Sequence, residues 1–278
     1  MDTTWQMGLE AGEYRRQDIE DTRKWELQSA FGYTLRGVLA QPPEPKGVAV
    51  LCHGHRHSWH GTIKYWRIFR DMDYVICAYN HRYHGDSGGR NCSAGWFEAR
   101  DLLHVVGTMR SQYPGLPIGL MGESMGGATV MQFMELGEPV DFIIADCPYS
   151  TMAGAYRHQL TKRRIPRLLQ GPIITAAQWY IQLTAGFSLR DVSPARCAMK
   201  QDTPVLLIHG DGDTYIPKEH SREIYDLRRD TYPTRLLIVE DARHADAWRK
   251  GPGHYEHQVR SFIWEATEAQ RESSTPGY

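Results

Sequence analysis

The stretch Leu116-Pro117-Ile118-Gly119-Leu120-Met121-Gly122-Glu123-Ser124-Met125-Gly126-Gly127 decides how the rest of the chain is read. An apolar run of strand length, Leu116 to Met121, leads into Gly-x-Ser-x-Gly, and a helix-like segment follows. That order describes a strand, a turn too tight for side chains two positions either side of the serine, and a helix. Such a turn lifts the Ser124 hydroxyl above a sheet. It also sets the hydroxyl at a helix N-terminus, where developing negative charge is favoured. The pattern predicts a serine nucleophile, and with it a hydrolase or an acyltransferase.

Outward from this stretch, strand-length and helix-length segments alternate. Residues 25–30 and 33–40, parted by Phe31-Gly32, read as an antiparallel hairpin, and 47–52 reads as a buried strand before a histidine-rich loop. Further strands are expected at 74–79, 118–122, 140–145, 205–209 and 235–239. Helices are expected near 62–72, 95–112, 124–136, 218–229 and 252–267. This alternation predicts an α/β fold, a mostly parallel twisted sheet with helices on both faces. From Tyr149 to Asp202 no strand pattern occurs, and Pro166, Gly171-Pro172, Gly186 and Pro194 interrupt the segment. So long a gap is not a bare connection, and a small helical lid insertion is expected over the site. The organisation read from the sequence is a charged, helical extension (1–22), a core (23–148 and 203–270), the insertion (149–202) and a disordered tail (271–278).

With 278 residues, 41% of them hydrophobic, the chain can bury one large core. A net charge of -1 offers no general attraction to nucleic acid or to acidic membranes, and neither is expected as a partner. Cys52, Cys77, Cys92, Cys147 and Cys197 are few and odd in number, which favours buried free thiols over disulfides. Residues 1–26 are charged throughout and carry no signal-peptide core or membrane span, so a cytoplasmic protein is expected. The sequence does not give the oligomeric state.

A serine needs a base, and the base needs an acid to hold its tautomer. The strand at 205–209 runs into His209-Gly210-Asp211-Gly212-Asp213, and the strand at 235–239 runs into Glu240-Asp241-Ala242-Arg243-His244. His244 is the expected base. Asp213 is the preferred acid, because it lies far enough past the strand to swing toward a histidine, with Asp211 and then Asp146 as fallbacks. Within the insertion, Arg157, Lys162, Arg163, Arg164, Arg167, Arg190, Arg196 and Lys200 stand against Asp191. They read either as a solvated face or as a funnel for anionic esters or acyl-CoA thioesters. Tyr156, Trp179, Tyr180 and Phe187 are candidates for an acyl or aryl pocket.

Taken together, Leu51-Cys52-His53-Gly54-His55, the run from Ala78 to Gly89, Gly122 to Gly127, His209 to Pro217, and His244 resemble the α/β hydrolases, in particular the lid-bearing esterase and serine-aminopeptidase-like group. The resemblance spans about residues 25–270. It implies the chain order nucleophile, acid, base met by Ser124, Asp213 and His244. It also implies an oxyanion hole built from the backbone amides of His55 and Met125. Asn80 stands where the group usually has aspartate, which is expected to weaken a salt bridge there. No cofactor is implied. His53, His55, His57, His60, His81 and His84 invite a metal reading, but no zinc-protease motif or cysteine-rich partner set accompanies them, so no catalytic metal is expected. The expected activity is hydrolysis of a small carboxylic ester through an acyl-enzyme. A thioesterase, an acyltransferase or a small-peptide aminopeptidase would use the same three residues, and a non-catalytic binding protein on a hydrolase scaffold is the reading of a different kind.

Overall fold

Strands β1 (Thr22–Gln28) and β2 (Thr34–Ala40) pair antiparallel, with Gly32 in the left-handed region between them. Six strands follow: β3 (Gly47–Cys52), β4 (Tyr74–Tyr79), β5 (Ile118–Glu123), β6 (Phe142–Asp146), β7 (Val205–Gly210) and β8 (Thr234–Val239). The computed structural model, which describes residues 3–10, 12 and 14–274, joins them into one sheet of order β1-β2-β4-β3-β5-β6-β7-β8. Only β2 runs against the others. The alternation of strand and helix in the sequence thus becomes the mostly parallel sheet of an α/β fold.

Helices cover both faces. They are α1 (Thr3–Glu10), α2 (Trp66–Arg70), α3 (Trp96–Gln112), α4 (Met125–Phe133), α5 (Met152–Lys162), α6 (Arg167–Ala185), α7 (Pro194–Cys197), α8 (Glu219–Arg228), α9 (Ala247–Lys250) and α10 (Pro252–Ser274). Side chains alternate between faces along each strand. In β3, Val48, Val50 and Cys52 therefore pack with Leu102 and Val105 of α3 and Val130 of α4. Ala49 and Leu51 instead pack with Trp66 of α2 and Val259 and Ile263 of α10. All six β3 residues are buried, which is why the strand reads as a continuous apolar run.

The segment between β6 and β7 holds α5, α6 and α7 and no strand. Thr151 caps α5 by accepting the Gly154 amide at 3.1 Å. A third apolar cluster, including Ala128, Tyr149, Phe187, Val192 and Ile216, lies beneath these helices. The sequence suggests a break at Gly171-Pro172, yet α6 continues through it. Pro172 sits in the second turn, where its missing N–H forfeits a single helical bond. The helix expected at 62–72 opens instead as a 3-10 helix (Trp59–Tyr65) before α2. At the chain's end, α10 runs to Ser274 because nothing from Glu265 to Ser274 is glycine or proline, so 271–274 are helical rather than disordered. The rest of the expected tail, 275–278, lies outside the described residues. In the extension, α1 is followed by a 3-10 helix (Arg16–Ile19), and Thr22 already belongs to β1.

Two glycine substitutions test these packing relations in opposite directions. A Cβ on Gly126 would lie 2.1 Å from the Cys52 carbonyl oxygen, a backbone atom that cannot step aside. Gly126→Ala is expected to lower stability by about 3 kcal/mol or more. Gly107, inside α3, has open space around its added Cβ, and Gly107→Ala is expected to raise stability by about 0.5–1 kcal/mol. Urea denaturation of both variants at neutral pH measures the two effects.

Candidate active site

Ser124 ends β5 and opens α4 with φ 56° and ψ -113°, a conformation that a non-glycine residue keeps only when its surroundings enforce it. The enforcement comes from close backbone contact. A Cβ on Gly122 would fall 2.1 Å from the Gly126 carbonyl oxygen, so the turn closes only with glycine at both places. The Ser124 amide donates to the Asp146 carbonyl at 2.7 Å and ties the turn to β6.

His244 follows β8 and Asp213 follows β7. His244 Nε2 lies 2.8 Å from Ser124 Oγ, and His244 Nδ1 lies 2.6 Å from Asp213 Oδ2. A carboxylate only accepts, so Nδ1 carries the proton and Nε2 presents its lone pair to the serine hydroxyl. Asp213 Oδ1 accepts the amides of Tyr215 and Ile216 at 2.8 and 2.9 Å. Burial alone would raise the Asp213 carboxyl. Hydrogen bonds from His209, His244 and the Ile216 amide outweigh it and hold the group well below the ordinary carboxylate range. Of the fallback acids, Asp211 accepts the Asp241 amide and Asp146 accepts the Tyr255 hydroxyl, and neither bonds His244.

Two histidines nearby, His53 and His209, act as fixed struts. His53 Nδ1 donates to the Gly54 carbonyl at 2.7 Å and Nε2 accepts the His81 amide at 3.0 Å, locking the loop after β3 to the loop after β4. His209 donates from Nε2 to the Ile216 carbonyl at 2.8 Å and pairs with Ser221 Oγ through Nδ1 at 2.7 Å. His55 follows Gly54, whose added Cβ would lie 3.6 Å from Ser124 Cβ, and Met125 is the first residue of α4. The backbone amides expected to bind an oxyanion therefore belong to the loop after β3, which lies against Ser124, and to the first residue of α4. Asn80 does more than soften a salt bridge: its Nδ2 donates to Asp86 at 2.7 Å and its Oδ1 accepts the Trp59 amide at 2.8 Å. An aspartate there would set a second carboxylate against Asp86.

Sequence reading missed Lys64. Its ammonium is buried, 2.5 Å from Glu123 Oε2 and 3.2 Å from the Ala245 carbonyl. One cation thus grips the residue before Ser124 and the residue after His244. The signal present was a lone lysine between Ile63 and Tyr65 in an aromatic-rich segment. Tyr65 donates to Glu123 at 2.5 Å. Burial opposes the charge on Lys64, but Glu123 more than restores it, so the lysine sits above and the glutamate below its ordinary value. Asp146, with no cation at hydrogen-bond distance, is pushed up to about 6 by burial and then by Glu123.

Above Ser124 lies a cavity of about 500 Å³. Its wall includes Met125, Tyr149, Met152, Tyr156, Tyr180, Ile181, Phe187 and Ile216, with no aspartate, glutamate, lysine or arginine side chain. Of the four candidate pocket aromatics, Tyr156, Tyr180 and Phe187 line it and Trp179 does not. On α6 the lining positions are 180, 181, 184 and 185, and Trp179 precedes that face and is exposed. A wider depression of about 750 Å³, lined by Lys24, Glu26, Arg36 and Asp86 among others, includes none of Ser124, Asp213 or His244.

A parallel sheet with serine, aspartate and histidine at the carboxyl ends of β5, β7 and β8 is the arrangement of an α/β hydrolase. Residues 43–170 match the family described as serine aminopeptidase, S33. The chain is 33% identical over 241 residues to the Bacillus subtilis protein YqkD, covering 85% of this chain and 77% of that one. It is 27% identical over 225 residues to a monoacylglycerol lipase of Mycolicibacterium smegmatis, covering 68% and 78% respectively. Its structure superposes on an esterase of Pyrococcus furiosus with a TM-score of 0.72 at 19% identity, over 91% of this chain and 94% of that one. The chain belongs to the α/β-hydrolase superfamily of serine hydrolases. Among the described residues, no helix is long and apolar enough to cross a membrane.

Lys64→Met strands Glu123 in the interior and is expected to cost about 3–5 kcal/mol. Adding Glu123→Gln should return at least half of that loss in urea denaturation at neutral pH. Asp146 supplies a pH signature. Its folded value of about 6 exceeds the ordinary 3.8, so the folded protein holds a proton there that the unfolded chain releases. That stabilisation is complete below the lower value and is lost as pH rises through the upper one, up to about 3 kcal/mol. Asp146→Asn should abolish this part of the difference in stability between mildly acidic and neutral pH.

Proposed function

We propose that this protein is a carboxylesterase that cleaves small neutral esters with apolar acyl groups through an acyl-enzyme. The observation carrying the proposal is the hydrogen-bonded run Ser124–His244–Asp213 opening into an uncharged, largely apolar cavity. In this reading Ser124 attacks the ester carbonyl while His244 takes the serine proton. His244 then gives that proton to the leaving alcohol and later draws one from the water that releases the acid. Asp213 holds the Nδ1–H tautomer and supports the imidazolium electrostatically. The amides of His55 and Met125 receive the oxyanion, and such donors act strongly because they are fixed before charge develops. Residues 149–202 serve as the lid whose inner face supplies the acyl wall.

The uncharged wall supports this choice over two others. An aminopeptidase needs an anionic group for the substrate ammonium, and the wall has none. The eight cations of the lid are exposed and line no part of the cavity, so any pull on an anionic ester acts only from the rim. A thioester would fit the same wall and is separated from an ester by assay. The five free cysteines support a reducing, cytoplasmic setting.

Incubation with a fluorophosphonate should add a single mass adduct to the wild-type protein and none to Ser124→Ala. That variant should lose more than about 10⁴-fold in p-nitrophenyl butyrate hydrolysis while melting with the wild type. Because Asp213 stays ionised well into acid, any loss of activity in mild acid should follow the slope of one proton rather than two. A two-proton slope would show that Asp213 takes up a proton as well.

A further inference from the structure

The histidine-rich loops hold a cluster that the proposed esterase chemistry does not use. One potential ligand atom from each of His55, His84 and Cys92 lies within 4.8 Å of the other two. His55 Nδ1 and Cys92 Sγ are 3.7 Å apart. Two ligands of one tetrahedral zinc, with bonds of about 2.3 Å to sulfur and 2.0–2.1 Å to nitrogen, stand about 3.6 Å apart, so this pair already has the required spacing. His84 Nδ1 donates to the Arg82 carbonyl at 2.9 Å, leaving Nε2 with its lone pair. A carbonyl behind the far ring nitrogen is how ligating histidines are commonly oriented. Cys92 is the one cysteine of the five that is not buried. In the sequence the cysteine beside the histidine-rich loop is Cys52, which is buried in β3. The fold brings Cys92 to it from the segment before α3.

We propose that His55, His84 through Nε2, and Cys92 form a site for one thiophilic divalent metal ion, typified by zinc, and that its binding shuts the acyl cavity. His55 and Cys92 belong to the cavity wall together with Ser124 and Met125. Cys92 Sγ also lies 3.2 Å from Met125 Sδ. An ion with three protein ligands keeps a fourth position for water, and with two of its ligands in the cavity wall the ion and its water would occupy space the acyl group needs. The same ion would fix the side chain of His55, whose amide is proposed to receive the oxyanion. The inhibitory half therefore rests on the esterase reading, and the binding half does not.

On binding, the Cys92 S–H bond breaks, the sulfur becomes a metal-bound thiolate and one proton leaves to solvent. The groups facing the cluster are Glu98, Arg82, Arg56, His53 and His57. Burial, then His84 and Arg56, lowers the His55 imidazole, with Glu98 opposing. Burial and Glu98 raise the Cys92 thiol, with Arg82 opposing. The ion must displace that proton, so affinity should rise about tenfold per pH unit.

Metal-stripped Ser124→Ala protein, titrated with Co²⁺, separates binding from activity. The expected result is one ion per chain with a thiolate-to-cobalt charge-transfer band. Cys92→Ser and His84→Gln should each weaken binding at least tenfold, and His57→Gln should not. Absence of the band overturns the site. So does affinity that survives both variants, as it would for adventitious binding or for the group Cys147, Asp213 and His244. If a variant fails to fold, wild-type alkylation decides: Zn²⁺ should slow iodoacetamide labelling of Cys92 at least tenfold, and an unchanged rate refutes the proposal. In active wild-type enzyme, Zn²⁺ should cut ester hydrolysis at least tenfold, reversibly with EDTA. A bound ion that leaves activity unchanged refutes the inhibitory role alone, whereas an enzyme without esterase activity refutes the function and leaves the cobalt result standing.

Discussion

The backbone contact among β3, β5 and α4 is the constraint on which the site depends. With glycine at 122 and 126, the start of α4 lies against the Cys52 carbonyl, and a methyl group at either position would meet backbone oxygen at 2.1 Å. That proximity forces Ser124 into positive φ and fixes where its hydroxyl stands. It also places the Met125 amide at the free N-terminal end of a helix, where donors have no intrahelical partner. Strain of this kind costs on the order of 1–3 kcal/mol. The two large apolar clusters on the faces of the sheet can offset that cost, since each fully buried Val or Leu contributes about 1.5–3 kcal/mol.

A rigid serine is useful only if the histidine arrives at the same place, and His244 comes from a loop 120 residues further along. Lys64 closes that gap. By pairing with Glu123 and donating to the Ala245 carbonyl, it references both loops to one buried charge. A hydrophobic isostere would pack without the desolvation cost of the ion pair. What it could not supply is a directional link between the two loops. The lysine is thus a positioning residue, one step removed from the reacting atoms.

Much of this was legible in the sequence because period and punctuation carry it. The bounds of β3 and β4 coincide with their apolar runs, and the order Ser124, Asp213, His244 follows from strand ends alone. Other features depend on partners that sequence does not name. Lys64 reads as an ordinary surface lysine until Glu123, distant in sequence, is placed beside it. Trp179 and Tyr180 are equivalent as composition and both are exposed, yet one step of 100° around α6 puts only Tyr180 on the cavity wall. Asn80 looked like a loss relative to aspartate, and its value became visible only with Asp86 and the Trp59 amide in place. Cys92 joins His55 and His84 by tertiary folding and by no sequence spacing.

The histidines show how one residue type is divided between structure and chemistry. His53 and His81 are buried with their rings in contact, and burial drives both down, helped by His81 and His84 at His53 and by His84 at His81, which falls to about 3. His53 is therefore a neutral connector whose two nitrogens are already committed. His209 is equally committed, to Ile216 and Ser221, and no part of its side chain is exposed. His244 differs on two counts. Its side chain is 22% exposed, and its Nδ1 faces a carboxylate that is itself fully buried and held ionised by other donors. A proton arriving at Nε2 thus meets a compensating charge beneath the ring and solvent beside it. His53 and His81 have neither, and His209, though 3.3 Å from the same carboxylate, has no exposed side-chain surface, so proton traffic at this site is confined to the one histidine that touches the serine.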